Sequence, residues 1–164
     1  MMRMTSPIRP SALGASAAVT AFVLDQATKA MAIANTEILA AGLPVAPGFN
    51  LVLHRNTGVS FGMLDNVPPL ALVALALIII VWLAVLTFRA ERSGDAAGYG
   101  LILGGALGNV ADRLRLGGVT DFLDFYIGEA HWPAFNLADS AIFCGVVVLL
   151  LWPRRHVQRR TDAI

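Results

Sequence analysis

The chain has 164 residues, of which 57% are hydrophobic and only 14% are charged, and its mean hydropathy is +0.69. A soluble domain usually carries about 25% charged residues, so the composition excludes an ordinary soluble protein and indicates one membrane domain over residues 1–164. The net charge of +1 gives no reason to expect nucleic-acid binding, and one cysteine, Cys144, excludes an intrachain disulfide or a cysteine-rich metal site.

Four stretches have the length and apolarity of membrane spans, which need about 20 mostly apolar residues. The first is interrupted by Asp25 and Lys29, whereas the second carries no charge. We interpret the first as a retained helix and not a cleaved leader, because its apolar run is long and its charges stand where a cleavage site is expected. The predicted fold class is therefore an all-α integral membrane protein, a four-transmembrane-helix bundle. The predicted spans are 11–34, 68–88, 98–114 and 135–152.

The basic residues predict the orientation of this bundle. Eight of the twelve Lys and Arg residues lie before the first span, between the second and third, or after the fourth. By the positive-inside rule, that side faces the cytoplasm. Both termini are then cytoplasmic, 153–164 is a cytoplasmic tail, and the loops at 35–67 and 115–134 face outward from an inner membrane. The eight residues are Arg3, Arg9, Arg89, Arg92, Arg154, Arg155, Arg159 and Arg160.

Both outer loops contain short strand-like segments. In the first loop, alternation around Leu51 and Leu53, followed by the turn residues of 56–58, predicts a β-hairpin that returns through Val59 and Phe61. The Gly and Pro residues of 42–48 predict irregular chain before it. In the second loop, residues 119–125 predict an extended run with Asp121 on the apolar, inward face.

Acidic and amide side chains are concentrated at the predicted outer ends of the spans. They come in three groups at helical spacing: Asp25 with Lys29, Asn109 with Asp112 and Arg113, and Asn136 with Asp139. Polar groups within spans nearly always face the bundle interior and mark a site. Two structural alternatives remain open at this point: a local ion pair between Asp25 and Lys29, and a polar network that only joins the helices.

The chemistry available to these groups is that of a carboxylate pair. Two carboxylates that share a proton can activate a water molecule for attack on an amide, because like charges at close range cannot both ionise. Asp139 is one candidate, and Asp121 is preferred over Asp124 because it shares the inward face. Asp112 is expected to be held ionised by its neighbour Arg113. No Ser-x-x-Lys, His-Glu-x-x-His or Gly-x-Ser-x-Gly motif is present.

Five motifs in order make the sequence resemble the lipoprotein signal peptidase (signal peptidase II) family. They are DQATK at 25–29, RNTGVSFG at 55–62, GGALGNVADR at 104–113, GVTDFLDF at 118–125 and FNLAD at 135–139. The resemblance implies an aspartic endopeptidase with four transmembrane helices and a small periplasmic β-cradle. It implies cleavage of diacylglyceryl-modified prolipoproteins just before the lipidated cysteine, with prolipoproteins and membrane lipids as partners.

The resemblance also assigns roles to residues. Asp121 and Asp139 stand where the family has its catalytic aspartates. The remaining motif residues are implied to form a supporting, substrate-binding polar shell. These are Asp25, Lys29, Asn56, Gly58, Asn109, Asp112, Arg113 and Asn136. Val59 and Thr120 depart from the residues the family often carries, which concerns substrate preference only.

We expect a monomer without metal or cofactor, but two other classes of protein remain possible on the sequence. A metal-dependent membrane hydrolase would use Asp112, Asp121, Asp124 and Asp139 as oxygen ligands. A transporter or scaffold would use the intramembrane acids to carry protons or cations. Cleavage of a prolipoprotein, and its response to a chelator, distinguish the three.

Overall fold

A computed structural model describes residues 9–58 and 69–152 of the chain. Within them the structure has five helices and four strands. In chain order these are α1 (Pro10–Ala34), α2 (Thr36–Ala40), β1 (Leu43–Ala46), β2 (Phe49–Asn56), α3 (Pro69–Arg89), α4 (Ser93–Leu116), β3 (Val119–Ile127), β4 (Ala130–His131) and α5 (Leu137–Leu151).

The four long helices coincide with the four predicted spans. The largest difference is at α4, which begins at Ser93, five residues before the predicted start at 98. In the described part of the chain, two helices are long and apolar enough to cross a membrane, namely Pro10–Ala34 and Ala71–Arg89, and Leu137–Leu151 is apolar but shorter. The helical part of the prediction is confirmed, whereas length and apolarity alone identify two spans and not four.

Helix α4 lies at the centre of the bundle and packs against α1, α3 and α5. Its glycines permit this, because small residues let helix backbones approach closely. A methyl group added at Gly100 would collide with the main-chain oxygen of Gly14, and one at Gly104 with that of Ala18. On the side facing α5, Gly105 lies against the main-chain oxygen of Ala138.

The four strands form one antiparallel sheet in the order β1-β2-β3-β4. Strands β2 and β3 pair with His54 opposite Asp121 and Asn56 opposite Val119. A small apolar cluster of Ala32, Leu39 and Phe122 packs the sheet against α2 and the end of α1. The sheet thus holds Asp121 against the ends of the long helices.

The prediction for the first outer loop was partly wrong. Residues 42–48 are not irregular throughout, because Leu43–Ala46 forms β1, and the turn into β2 has Gly48 at a φ of 82°. The chain there reverses at Pro47 and Gly48. The return strand predicted through Val59 and Phe61 lies outside the described residues, and helix α2 was not predicted.

The prediction for β3 was right about its extended conformation and wrong about its single inward face. Asp121 is only 1% exposed, but Thr120 (0%) and Phe122 (6%) on the opposite face are also buried. The strand is covered on both sides. Phe122 packs into the cluster with Ala32 and Leu39 on one face, and Asp121 binds Asn56 and Asn136 on the other.

Candidate active site

Asp139 lies in the first turn of α5, where its carboxylate belongs to a capping box with Asn136. The Asn136 side-chain oxygen accepts from the Asp139 main-chain N–H (3.0 Å), and Asp139 Oδ2 accepts from the Asn136 N–H (3.3 Å). Asn109 on α4 donates to Asp139 Oδ1 at 2.9 Å. Asn136 is the N-cap residue, so capping and not a shared helix face brings the two side chains together.

Asp121 reaches the same place from β3. Its Oδ1 accepts a 2.6 Å hydrogen bond from Asn136 Nδ2, and its Oδ2 accepts one of 3.1 Å from Asn56. Burial raises the pKa of Asp121 to about 6, the two amide donors oppose that rise, and the charge of Asp139 adds to it. Asn136 therefore contacts both carboxylates, through its side chain and its main chain.

Asp25 and Lys29 form the predicted ion pair, with 2.9 Å between Nζ and Oδ2. The pair is almost fully buried, and both partners reach other helices. Lys29 donates to Asn109 Oδ1 (2.9 Å), and Asp25 Oδ1 accepts from the Ala138 N–H (2.9 Å) at the start of α5. A buried pair of this kind is tolerated only when further hydrogen bonds complete both groups. The pair therefore connects α1 to α4 and α5, whereas the sequence spacing predicted only a local ion pair within α1.

Asp112 forms no ion pair with Arg113, although the two charges lie within electrostatic range of each other. Asp112 Oδ2 accepts instead from the main-chain N–H of Thr120 (2.9 Å) and lies 3.7 Å from Lys29 Nζ. Neighbouring residues on a helix point in different directions. Arg113 turns towards Gly58 and donates to its carbonyl oxygen at 3.1 Å, within electrostatic range of Asp121 and Asp139.

All ten residues proposed from the sequence lie in one connected polar region, which also includes Gln26 and Thr120. Gln26 donates to Asp25 Oδ2 (3.1 Å) and to Asp112 Oδ1 (3.4 Å). Thr120 binds Asp112 through its main chain. The sequence signal for Gln26 was its position inside the DQATK motif. Gln26 carries no charge, and it was not predicted as a site residue. A main-chain donor such as Thr120 N–H has no sequence signal.

Asp124 lies outside this region. It binds Asn50 Nδ2 (3.1 Å) and His131 Nδ1 (2.9 Å) on the other face of β3. The four acids of the metal-hydrolase alternative therefore do not converge. Among the described residues, no group of three or more His, Cys, Asp or Glu side chains is placed to hold a metal ion.

The site is thus a pair of carboxylates, the buried Asp121 and the half-buried Asp139, held by neutral amides where the ends of helices meet a small sheet. This arrangement defines the class of protein, a helical membrane enzyme with a paired-carboxylate centre. The family model described as signal peptidase (SPase) II matches residues 17–153. The chain belongs to the signal peptidase II family of aspartic peptidases.

Individual relatives agree with this family. The chain is 47% identical over 141 residues to a lipoprotein signal peptidase of Aeromonas hydrophila, covering 82% of this chain and 83% of the relative. It is 43% identical over 140 residues to that of Aquifex aeolicus, covering 83% and 82%. A bacterial membrane enzyme determined by the in meso method at 2.3 Å superposes with a TM-score of 0.75 at 28% identity, covering 92% of this chain and 93% of that one.

Proposed function

We propose that this chain removes the signal peptide from diacylglyceryl-modified prolipoproteins by cutting just before the lipidated cysteine, with Asp121 and Asp139 as the catalytic pair. The observation that carries the proposal is the double engagement of Asn136, which donates to Asp121 at 2.6 Å and caps against Asp139. Membership of the signal peptidase II family supports the reaction class.

The proposed chemistry needs one proton shared between two acids. The ionised aspartate takes a proton from a water molecule as that water attacks the scissile carbonyl, and the protonated aspartate donates to the carbonyl oxygen. Burial raises the pKa of Asp121 to about 6, so the pair gives up its proton closer to neutral pH than an ordinary aspartate would. Because the acids interact, their titration belongs to the pair and not to either residue.

The residues around the pair would hold it and the substrate. Asn56 binds Asp121 and also accepts from the Gly58 N–H (3.2 Å), so the end of β2 is fixed beside the carboxylate. An extended peptide near the scissile bond could then pair with main-chain groups at this edge. Asp25, Lys29 and Asp112 would fix the helix ends, and Arg113 would hold Gly58.

The proposal includes an orientation and an assembly. The chain would act as a monomer, as one domain with four spans in the bacterial inner membrane, both termini in the cytoplasm and the pair near the periplasmic face. The four long helices and the sheet at one end of them support this arrangement.

The test uses purified protein in detergent with a lipidated prolipoprotein, and cleavage is followed as a size shift. Asp121→Asn and Asp139→Asn should each reduce the rate at least about 100-fold, since proton transfer alone is typically worth that factor. The double variant should be hardly worse than either single variant, because residues that act as a unit are non-additive.

Asp124→Asn is the matched control, because Asp124 is on the same strand but binds Asn50 and His131 away from the pair. It should retain most of the wild-type rate. More than about a tenth of wild-type activity in either Asp121→Asn or Asp139→Asn would remove that residue from the catalytic pair.

A further inference from the structure

Gln26 on α1 lies between the carboxylates of Asp25 and Asp112 (the supporting carboxylates). Its Nε2 is 3.1 Å from Asp25 Oδ2 and 3.4 Å from Asp112 Oδ1, and it is 3.3 Å from the main-chain oxygen of Gly108. Gly108 leaves room for these contacts, because an added methyl group would collide with Asp25 Oδ2. One neutral amide thus connects a carboxylate of α1 to a carboxylate of α4.

Each supporting carboxylate also holds the main chain directly beside one member of the proposed catalytic pair. Asp25 Oδ1 accepts from the N–H of Ala138 at 2.9 Å, one residue before the acid of α5. Asp112 Oδ2 accepts from the N–H of Thr120 at 2.9 Å, one residue before the acid of β3. A shift of one supporting carboxylate relative to the other would therefore shift the two members of the pair relative to each other.

We infer that Gln26 is a positioning residue that sets the separation of Asp121 and Asp139, an assignment that rests on the proposed function. Its hydrogen bonds go to the supporting carboxylates and not to the pair, so it acts through the main chain that those carboxylates hold. The separation matters because the pair must reach both a water molecule and the scissile carbonyl. A misplacement of about 1 Å can cost about 100-fold in rate.

The supporting carboxylates need a donor between them, and Arg115 fixes the direction in which Gln26 donates. Lys29 serves the two acids unequally, with Nζ 2.9 Å from Asp25 but 3.7 Å from Asp112. An ionised carboxylate only accepts hydrogen bonds, so the Nε2 end of Gln26 has to face them. Arg115 donates to Gln26 Oε1 at 3.2 Å and thereby holds the amide in this orientation.

The test is the steady-state kinetics of Gln26→Met on a lipidated prolipoprotein in detergent, expressed per folded molecule. Methionine has nearly the helix propensity of glutamine, and it removes the donor at a half-buried position. The kcat should fall at least about tenfold, given the cost of a small misplacement. The KM should stay within about twofold of wild type, because Gln26 acts on the pair and not on substrate binding.

Thr28→Val is the matched control. Thr28 lies in the same turn of α1, but its hydroxyl donates to the main-chain oxygens of Leu24 and Asp25 within that helix. Its kcat and KM should both stay within about twofold of wild type.

Gln26→Glu is a second variant, which keeps the shape of the side chain and gives the same test if the methionine variant does not fold. The introduced carboxylate cannot donate when it is ionised, and it repels both supporting carboxylates. The kcat should therefore fall at least as far as in Gln26→Met, again with little change in KM.

Three results separate this role from its alternatives. A kcat per folded molecule within about twofold of wild type would overturn the inference, even if the unfolding temperature falls, because Gln26 would then only stabilise the fold. A raised KM at unchanged kcat would also overturn it, since that pattern indicates a residue that binds the substrate. Wild-type protein that does not cut the prolipoprotein would overturn the proposed function itself.

Discussion

Amide side chains, and not Lys29, form the hydrogen bonds to the carboxylate pair. Lys29 binds Asp25 and Asn109, and Asn109 in turn donates to Asp139. A direct contact with Lys29 would favour the ionised form of an acid, and the proposed mechanism would then lack the proton that it donates to the carbonyl oxygen. A neutral amide fixes the geometry of Asp121 and Asp139 while it leaves one proton available to the pair.

The burial of Asp121 predicts how stability depends on pH. Its pKa is about 6 in the folded protein and 3.8 in its ordinary state, so the folded state holds the proton more tightly. The stabilising contribution is complete below about pH 4 and is lost as the pH rises through 6, by up to about 3 kcal/mol. Relative to wild type, Asp121→Asn should therefore gain thermal stability between pH 4 and 6 and show a constant difference above that range.

The measurement is thermal unfolding in detergent at several pH values. Only the pH dependence of the difference is informative, because Asn56 and Asn136 both donate to Asp121 and the amide of the variant disturbs those bonds at every pH. A stability difference that is flat, or that falls from pH 4 to 6, would contradict the assigned direction of the pKa.

At the level of secondary structure, the sequence predicted the helices and strands whose hydrophobic pattern extends over many residues. Continuous apolar runs predicted all four long helices, and alternation predicted β2 and β3. Strand β1 has four exposed residues and a proline, so it carries no alternation, and α2 has only five residues. The partner of Asp112 could not be predicted either, because Thr120 N–H is a main-chain donor that is selected by the packing of β3 on α4.

The close contacts between the glycines of α4 and the neighbouring helices lead to a prediction about stability. In an ordinary helix Gly→Ala stabilises by about 1 kcal/mol. Gly104→Ala should instead destabilise by about 1–3 kcal/mol, the usual cost of overpacking, because the added methyl group meets the Ala18 main-chain oxygen and forces α1 away. Activity should fall as well, since α1 carries Asp25 and Lys29. Thermal unfolding and cleavage rate measure the two effects.

Gly94→Ala is the control on the same helix. The methyl group there meets the ring of Trp152, a side chain that follows the end of α5 and can move aside. Its unfolding temperature should change less than that of Gly104→Ala. Equal or greater stability of Gly104→Ala relative to wild type would show that α1 and α4 are not held by this close approach.

In the whole molecule, helix composition follows position in the bundle. Helix α3 carries no charge before Arg89 and exposes large apolar side chains such as Ile78 and Trp82. Helix α4 packs against three other helices and is rich in buried glycine, so it does not need the apolarity of a lipid-exposed helix. A hydropathy criterion therefore misses the helix that holds the bundle together.

The direction of each helix supplies the last prediction. The polar residues stand near the end of α1 (Asp25), near the end of α4 (Asn109) and at the start of α5 (Asp139), and they meet at one level only if α4 runs parallel to α1 and α5 runs antiparallel to both. Together with the arginine distribution, this predicts that GFP fused after Arg92 or after Arg160 fluoresces in the cytoplasm. Alkaline phosphatase fused near Asp65 or Glu129 should be active in the periplasm. A periplasmic signal after Arg160 would contradict the four-span orientation, because an odd number of crossings would then separate the two termini.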